Sequence, residues 1–301
     1  IFNTSSKTAR KAALVTSVTI NLVVLSVFKY LGFFLENINQ AFGGNDLLSQ
    51  YNTLNIILPV GISFYIFQTL TYVVDVYKKE ITTKPTALVY FTYVAFFPQL
   101  VAGPIERAKS LLPQFIEHRS FNIKDITNGF SLVIVGLFLK IVIADPLGDI
   151  ANPIFAHPEL FNSADLILGI AAFSGQIYGD FCGYSTIAIG IAKILGFNLM
   201  VNFRTPYLSQ SISEFWRRWH ISLSTWFRDY LYIPLGGSKG EKWKSIRNIF
   251  IIFLVSGFWH GANWTFIIWG AIHGLGLIIE KKVSVLKFKV NLIFNIFRVL
   301  F

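Results

Sequence analysis

The chain has 301 residues, of which 53% are hydrophobic and 14% charged, with 30 Phe, 12 Tyr and 7 Trp. An average soluble domain carries roughly 25% charged residues, so this chain has too little charge to wet a globule of its size, and most of its surface must face lipid. The net charge of +10 sits in short connectors beside apolar runs, not in one solvated block, which argues against a nucleic-acid partner and reads as the positive-inside bias; the single cysteine, Cys182, excludes an intrachain disulfide and a cysteine-based metal cluster.

Residues 12–34 and 54–77 are each near the ~20 residues that cross ~30 Å of hydrocarbon, and both are predicted to span. The loop between them carries only Glu36 and Asp46, whereas the outer flanks carry Lys7, Arg10 and Lys11, then Lys78, Lys79 and Lys84, which makes the flanks cytoplasmic. Lys29, near the far end of its span, reads as a snorkelling side chain. Residues 88–103 are short for a crossing, and the basic residues that follow, Arg107, Lys109, Arg119 and Lys124, predict a re-entrant hairpin. Residues 108–119 form an amphipathic piece suited to the interface. Residues 126–144 cross, because the next loop has Asp145, Asp149, Glu159 and Asp165 but no Lys or Arg. Residues 166–197 return; as one helix they would measure roughly 48 Å, too long for an unbroken span, and Gly175, Gly179 and Gly183 allow either close helix approach or a break lining a cavity. No repeat or low-complexity stretch occurs, and 1–301 reads as a single transmembrane domain.

Residues 209–237 are more polar than the spans. Ser211 and Glu214 have the spacing of a capping box, and Pro234 with Gly236 and Gly237 ends the segment, which predicts one helix between them. On it Ile212, Phe215, Trp216, Trp219, Leu223, Trp226, Phe227 and Tyr230 share a broad face, Ser213, Arg217, Ser224 and Arg228 form a stripe beside it, and His220 lies on the border. Two readings stay open: an interfacial helix whose arginines meet lipid phosphates, or a site where Arg217 and Arg228 hold a phosphate-bearing donor near His220.

Residues 249–280 contain Val255-Ser-Gly-Phe-Trp-His-Gly-Ala-Asn-Trp264, flanked by Lys239, Lys242, Lys244 and Arg247 before and Lys281 and Lys282 after, so both ends read as cytoplasmic. His260 stands thirteen residues past Arg247, ~20 Å by helical rise, near the bilayer middle. An ionisable group at that depth is a functional candidate, against the plainer reading of a histidine bonded to a neighbouring helix. Gly257 and Gly261 give backbone room for a break or a ligand, and His273 reads as interfacial. Two histidines without metal-ligand spacing make a poor metal site, and no Gly-x-Ser-x-Gly occurs to carry a nucleophilic triad. A buried base near cations remains, chemistry suited to deprotonating a hydroxyl while a phosphate-bearing donor is held.

Four motifs in order, Phe96-Phe-Pro-Gln-Leu-Val-Ala-Gly-Pro-Ile-Glu-Arg107, Asp180-Phe-Cys-Gly-Tyr-Ser185 with Ile187-Ala-Ile-Gly-Ile191, Phe215-Trp-Arg-Arg-Trp-His220, and Phe258-Trp-His-Gly-Ala-Asn-Trp264, resemble the membrane-bound O-acyltransferase (MBOAT) family, and within it the bacterial alginate O-acetyltransferase branch. The resemblance runs from about residue 11 to 280. It implies an all-α membrane protein, a multi-span transmembrane helix bundle with re-entrant and interfacial helices around a funnel or tunnel, in a bacterial inner membrane. It implies His260 and His220 as the catalytic histidines, with His260 the base; Arg217, Arg228, Asn263 and Trp259 are expected to bind substrate or donor. It further implies no bound cofactor, an acyl thioester co-substrate (acetyl-CoA or an acyl carrier protein), a membrane lipid environment, and an extracytoplasmic SGNH-type acetyltransferase or esterase as partner. Cys182 stands where the family pattern has Ser, and Thr186 where it has Asp; Cys182, with no adjacent base in sequence, reads as a small packing residue and not as an acyl carrier. The family's first and last helices are missing, so the chain reads as a piece of a longer protein. A transporter or flippase is the rival from another class, against which the lack of inverted repeats counts; a scaffold that only docks a secreted partner would leave two Trp-flanked histidines idle.

Overall fold

A computed structural model describes residues 1, 6–42, 59, 61–100, 103–119 and 121–283, and among these every regular element is helical. Residues 54–58 and 60 of the span predicted at 54–77, together with residues 101–102 of the predicted hairpin, lie outside the described residues. Among the described residues three helices are long and apolar enough to cross a membrane: α1, Lys7–Ala41; Ile123–Ala156; and Ser163–Ile194. The residues gather into two compact units.

The first unit holds α1, α2 (Ile62–Tyr77), α3 (Ala87–Val94) and, from the C-terminal part of the chain, residues 227–281. Leu25 and Tyr30 of α1 bury against Ile62 and Ile66 of α2, while Val15, Ile20 and Val23 remain exposed on α1, as a lipid-facing surface requires. Thr86 caps α3 by accepting from the Val89 N–H, and the helix stops after eight residues, ~12 Å, far less than a bilayer. A single turn, Phe97–Leu100 (α4), follows in sequence, and then α5, Ala108–Ile116, buries Ala108, Leu111 and Leu112, as its amphipathic pattern predicts.

The second unit is built on α6 (Ile123–Ala156) and α7 (Ser163–Ile194). Contrary to the sequence expectation, α7 is one unbroken helix of 32 residues, started by a capping box of Asn162 and Asp165. Its glycines serve close approach, not a break. A Cβ at Gly136 of α6 would lie 2.6 Å from the Gly183 carbonyl oxygen, one at Gly129 would lie 2.7 Å from that of Gly190, and the reverse additions at Gly183 and Gly190 fare no better at 2.8 and 2.6 Å. Two glycine pairs, seven residues apart on each helix, therefore bring the backbones together where lipid offers no hydrophobic push. The outward face, with Phe130, Ile134, Phe138 and Ile141, stays exposed.

Wide π turns interrupt the α-helical spacing at Ser26–Tyr30, Phe138–Ala144 and Arg228–Tyr232. Each carries a charged side chain that finds a polar partner. In the second, which falls just before Pro146 with its missing N–H, Lys140 pairs with Asp145 at 2.5 Å and Asp180 at 2.7 Å.

Candidate functional site

The first unit presents His260. Helix α10 (Lys242–His260) ends at that histidine, Gly261 is extended, and α11 (Trp264–Val283) begins three residues later. Asn263 caps α11, its side-chain oxygen accepting from the Thr265 N–H at 3.0 Å and hydroxyl at 3.1 Å. The side-chain oxygen of Asn263, a residue expected to bind substrate or donor, thus serves the turn. Of the break or ligand that the glycines were expected to make room for, the break occurs, at Gly261, and the space beside both is filled by protein: a Cβ at Gly257 would sit 2.2 Å from the Phe266 carbonyl oxygen, and one at Gly261 would strike the Phe266 ring. The hairpin is knitted by backbone contact, and His260 is held at its tip. The imidazole is boxed by Trp259 (ring centroids 4.9 Å), Trp269 (5.1 Å) and Phe266 (6.4 Å). Trp269, which sequence reasoning missed, also meets His273 at 4.8 Å, so His273 packs within the hairpin, against Trp269 and Phe253. Among the described residues the contacts of the His260 ring are with the aromatic side chains of Trp259, Phe266 and Trp269.

Lys29, Tyr30, Phe33, Phe34 and Asn37 of α1 meet this hairpin. Lys29 donates to the Trp259 carbonyl and to Ser63 Oγ (3.2 Å). Tyr30 donates to the Phe258 carbonyl at 3.1 Å and stacks on the Phe258 ring at 4.1 Å; Phe33 touches Trp264, and Trp264 donates to Asn37 at 2.7 Å. The snorkelling expected of Lys29 does not occur: its ammonium turns inward.

The second unit presents His220, and here the single helix predicted from Ser211 to Pro234 is corrected. The segment forms α8, Ile212–Arg218, and α9, Ile221–Phe227, separated by an extended Trp219 (φ −98°, ψ 130°) and a left-handed His220 (φ 42°). No Gly or Pro marks the break. It is held from outside: the Ile221 N–H donates to the Asn202 carbonyl at 2.9 Å, and the Asn202 side-chain oxygen accepts from Ser222 N–H (3.2 Å) and Oγ (2.9 Å). The break also ends the helical phase that would have aligned Arg217 with Arg228 in one stripe. His220 is 2% exposed and packs edge-on against Phe181 of α7, centroids 4.6 Å apart. Trp219 enters an aromatic nest of Phe203, Tyr207, Phe215 and Tyr178. Arg217 is exposed, while Arg218 pairs with Glu214 at 2.6 Å. Only half of the expected capping box forms, because Glu214 N–H donates to Ser211 Oγ but the Glu214 carboxylate reaches back to Gln210 N–H. Cys182 Sγ lies 4.0 Å from the Thr186 hydroxyl, one turn away on α7.

A polar network that sequence reasoning passed over occupies the first unit. Asp75 of α2, 1% exposed, accepts from the Tyr230 hydroxyl at 2.6 Å. Arg107 lies over the Tyr230 ring, 5.2 Å from its centroid, and bonds Asp229 at 3.2 Å; Arg228 bonds Asp229 at 2.7 Å. Partial burial pushes the Asp229 carboxyl up, but the two guanidinium groups outweigh it and hold the group below its ordinary range. Burial first, and then the Asp75 carboxylate, raise the Tyr230 hydroxyl. A lone carboxylate in an otherwise apolar span was the available signal.

The sequence pattern of the membrane-bound O-acyltransferase family matches residues 16–298. The chain belongs to that family. It is 44% identical over 275 residues to "Probable alginate O-acetylase AlgI" of Azotobacter vinelandii, covering 90% of this chain and 54% of that protein. It is 36% identical to "Peptidoglycan O-acetyltransferase" of Helicobacter pylori (94% and 58% covered) and 28% identical to "Teichoic acid D-alanyltransferase" of Streptococcus thermophilus (76% and 58%). The chain thus spans little more than half the length of these curated relatives. Family membership and three membrane-length helices make it a membrane protein.

Proposed function

We propose that this MBOAT chain carries the acyl-transfer centre of a bacterial polysaccharide O-acetyltransferase of the inner membrane. In this reading the helices surround a funnel, both ends of the α10–α11 hairpin are cytoplasmic, and residues 88–103 are re-entrant, as the shortness of α3 and the basic flanks favour. An acetyl group arrives on a cytoplasmic thioester, acetyl-CoA or an acyl carrier protein, and leaves on a hydroxyl destined for an alginate-like polymer through an SGNH-type extracytoplasmic partner. The names of the relatives from Azotobacter and Helicobacter support the O-acetyl group and the polysaccharide acceptor.

The observation that carries the reading is the placement of His260: at the tip of the α10–α11 hairpin, thirteen residues or ~20 Å from Arg247, in a box of aromatic rings with no competing hydrogen bond among the described residues. A neutral imidazole there takes the proton from the acceptor hydroxyl as its oxygen bonds to the thioester carbonyl carbon. The carbon–sulfur bond then breaks, and the imidazolium returns the proton to the departing thiolate. His220 is the second histidine of the reading, and Arg217 and Arg228 supply cationic forks for a phosphate-bearing donor. The test is His260→Gln in membranes given acetyl-CoA and an alginate oligosaccharide. Turnover should fall ~10²–10⁴-fold with the folded protein retained; near wild-type turnover would falsify the base assignment and pass the role to His220.

A further inference from the structure

Lys29 is the one charged residue in the apolar stretch 12–34. An ammonium in hydrocarbon is costly unless it is compensated, yet no carboxylate faces it among the described residues. What faces it is the end of α10. The last carbonyls of a helix have no partner within it and together carry about half a negative charge, which a cation offsets. Lys29 takes the Trp259 carbonyl, the residue before His260, and Tyr30 takes the Phe258 carbonyl, the one before that. Neighbours on an α-helix point ~100° apart, and both fall in the wide turn Ser26–Tyr30, a kind of irregularity that recurs at functional sites.

We infer that Lys29 is a positioning residue for acyl transfer: its ammonium fixes the C-terminal end of α10, and with it the backbone that aims His260. The inference rests on the reading of His260 as the base. The peptide that Lys29 grips is the one joining Trp259 to His260, so the aim of the imidazole follows that backbone together with the packing of Trp259, Phe266 and Trp269. Misplacement of a reacting group by ~1 Å costs ~10²-fold in rate.

The full-length protein, assayed in membranes with acetyl-CoA and an alginate oligosaccharide, tests this. Lys29→Met should lower kcat about 10- to 100-fold with the KM for acetyl-CoA within about twofold, and Lys29→Arg should recover most of the loss. Adding Lys29→Met to His260→Gln should slow the enzyme no further, since a residue that acts through another adds nothing once the other is gone. Should Lys29→Met fail to reach the membrane, Lys29→Gln, which keeps a donor for the carbonyl without the charge, takes its place in the same comparison. The role is overturned if Lys29→Met keeps kcat within twofold over an inactive His260→Gln, if Lys29→Arg is as poor as Lys29→Met, or if the double variant loses more than His260→Gln alone. An active His260→Gln is a different outcome: it removes the base reading, and this inference with it.

Discussion

Both motif histidines stand where a helix is interrupted, but the two interruptions are made of different materials. At His260 the chain announces the break: glycine follows, asparagine caps the next helix, and the backbone keeps ordinary angles up to the histidine. A lysine and a tyrosine from a distant helix satisfy the open carbonyls. At His220 nothing local announces it. The histidine itself takes the left-handed conformation, and the break is pinned by Asn202, eighteen residues upstream, through three hydrogen bonds. One histidine is placed by what ends its helix, the other by strain in its own backbone. Substitution at 260 should therefore speak mainly through chemistry, and substitution at 220 through chemistry and folding together.

Four measurements separate these cases. The largest effect should be the ~10²–10⁴-fold loss of turnover in His260→Gln without loss of folded protein. Next, Asn202→Ala leaves the buried Ser222 N–H and hydroxyl without their acceptor and should destabilise the second unit by about 2–4 kcal/mol, read as faster amide exchange at residues 220–222; unchanged exchange would mean that Asn202 does not hold the break. Third, His220→Val should be less stable than His220→Asn by about 1–3 kcal/mol, because asparagine tolerates positive φ and a β-branched residue does not. The same pair at position 260 should differ by less than about 0.5 kcal/mol, and equal gaps at both sites would erase the contrast. The smallest effect concerns Glu214, whose carboxyl is held below its ordinary value of 4.5, first by the Gln210 N–H and then by Arg218. A depressed folded pKa gives stability that is present at neutral pH and lost as pH falls below 4.5 through the folded value. Glu214→Gln should thus cost about 0.2–1 kcal/mol at pH 7 and nothing in strong acid, as melting in detergent across pH would reveal.

The same contrast explains what was legible in the sequence. Residues 12–34, 126–144 and 166–197 are apolar over a bilayer's thickness, and length alone identified them as helices. The break after His260 could be read because Gly261 and Asn263 are local signals. The break at His220 could not, since Trp219 and His220 sit between a start signal at Ser211 and a stop at Pro234, and the residue that overrides the helix is remote in sequence. Lys29 was visible but ambiguous: a lysine in a span looks the same whether it snorkels or caps a helix, and only its partner, 230 residues away, decides. Asp75, Arg107 and Tyr230 failed for the same reason, coming from three segments whose meeting no spacing encodes.

The glycine pairs between α6 and α7 bear on how any saturation-mutagenesis map of this protein should be read. Positions 129, 136, 183 and 190 have no side chain to do chemistry, yet one added carbon at any of them falls within 2.8 Å of a carbonyl oxygen on the facing helix. Scored by activity, such a map would rank these four with the histidines. Scored by the amount of folded protein, it would separate them, because intolerance there records the required absence of an atom rather than the presence of a reactive one.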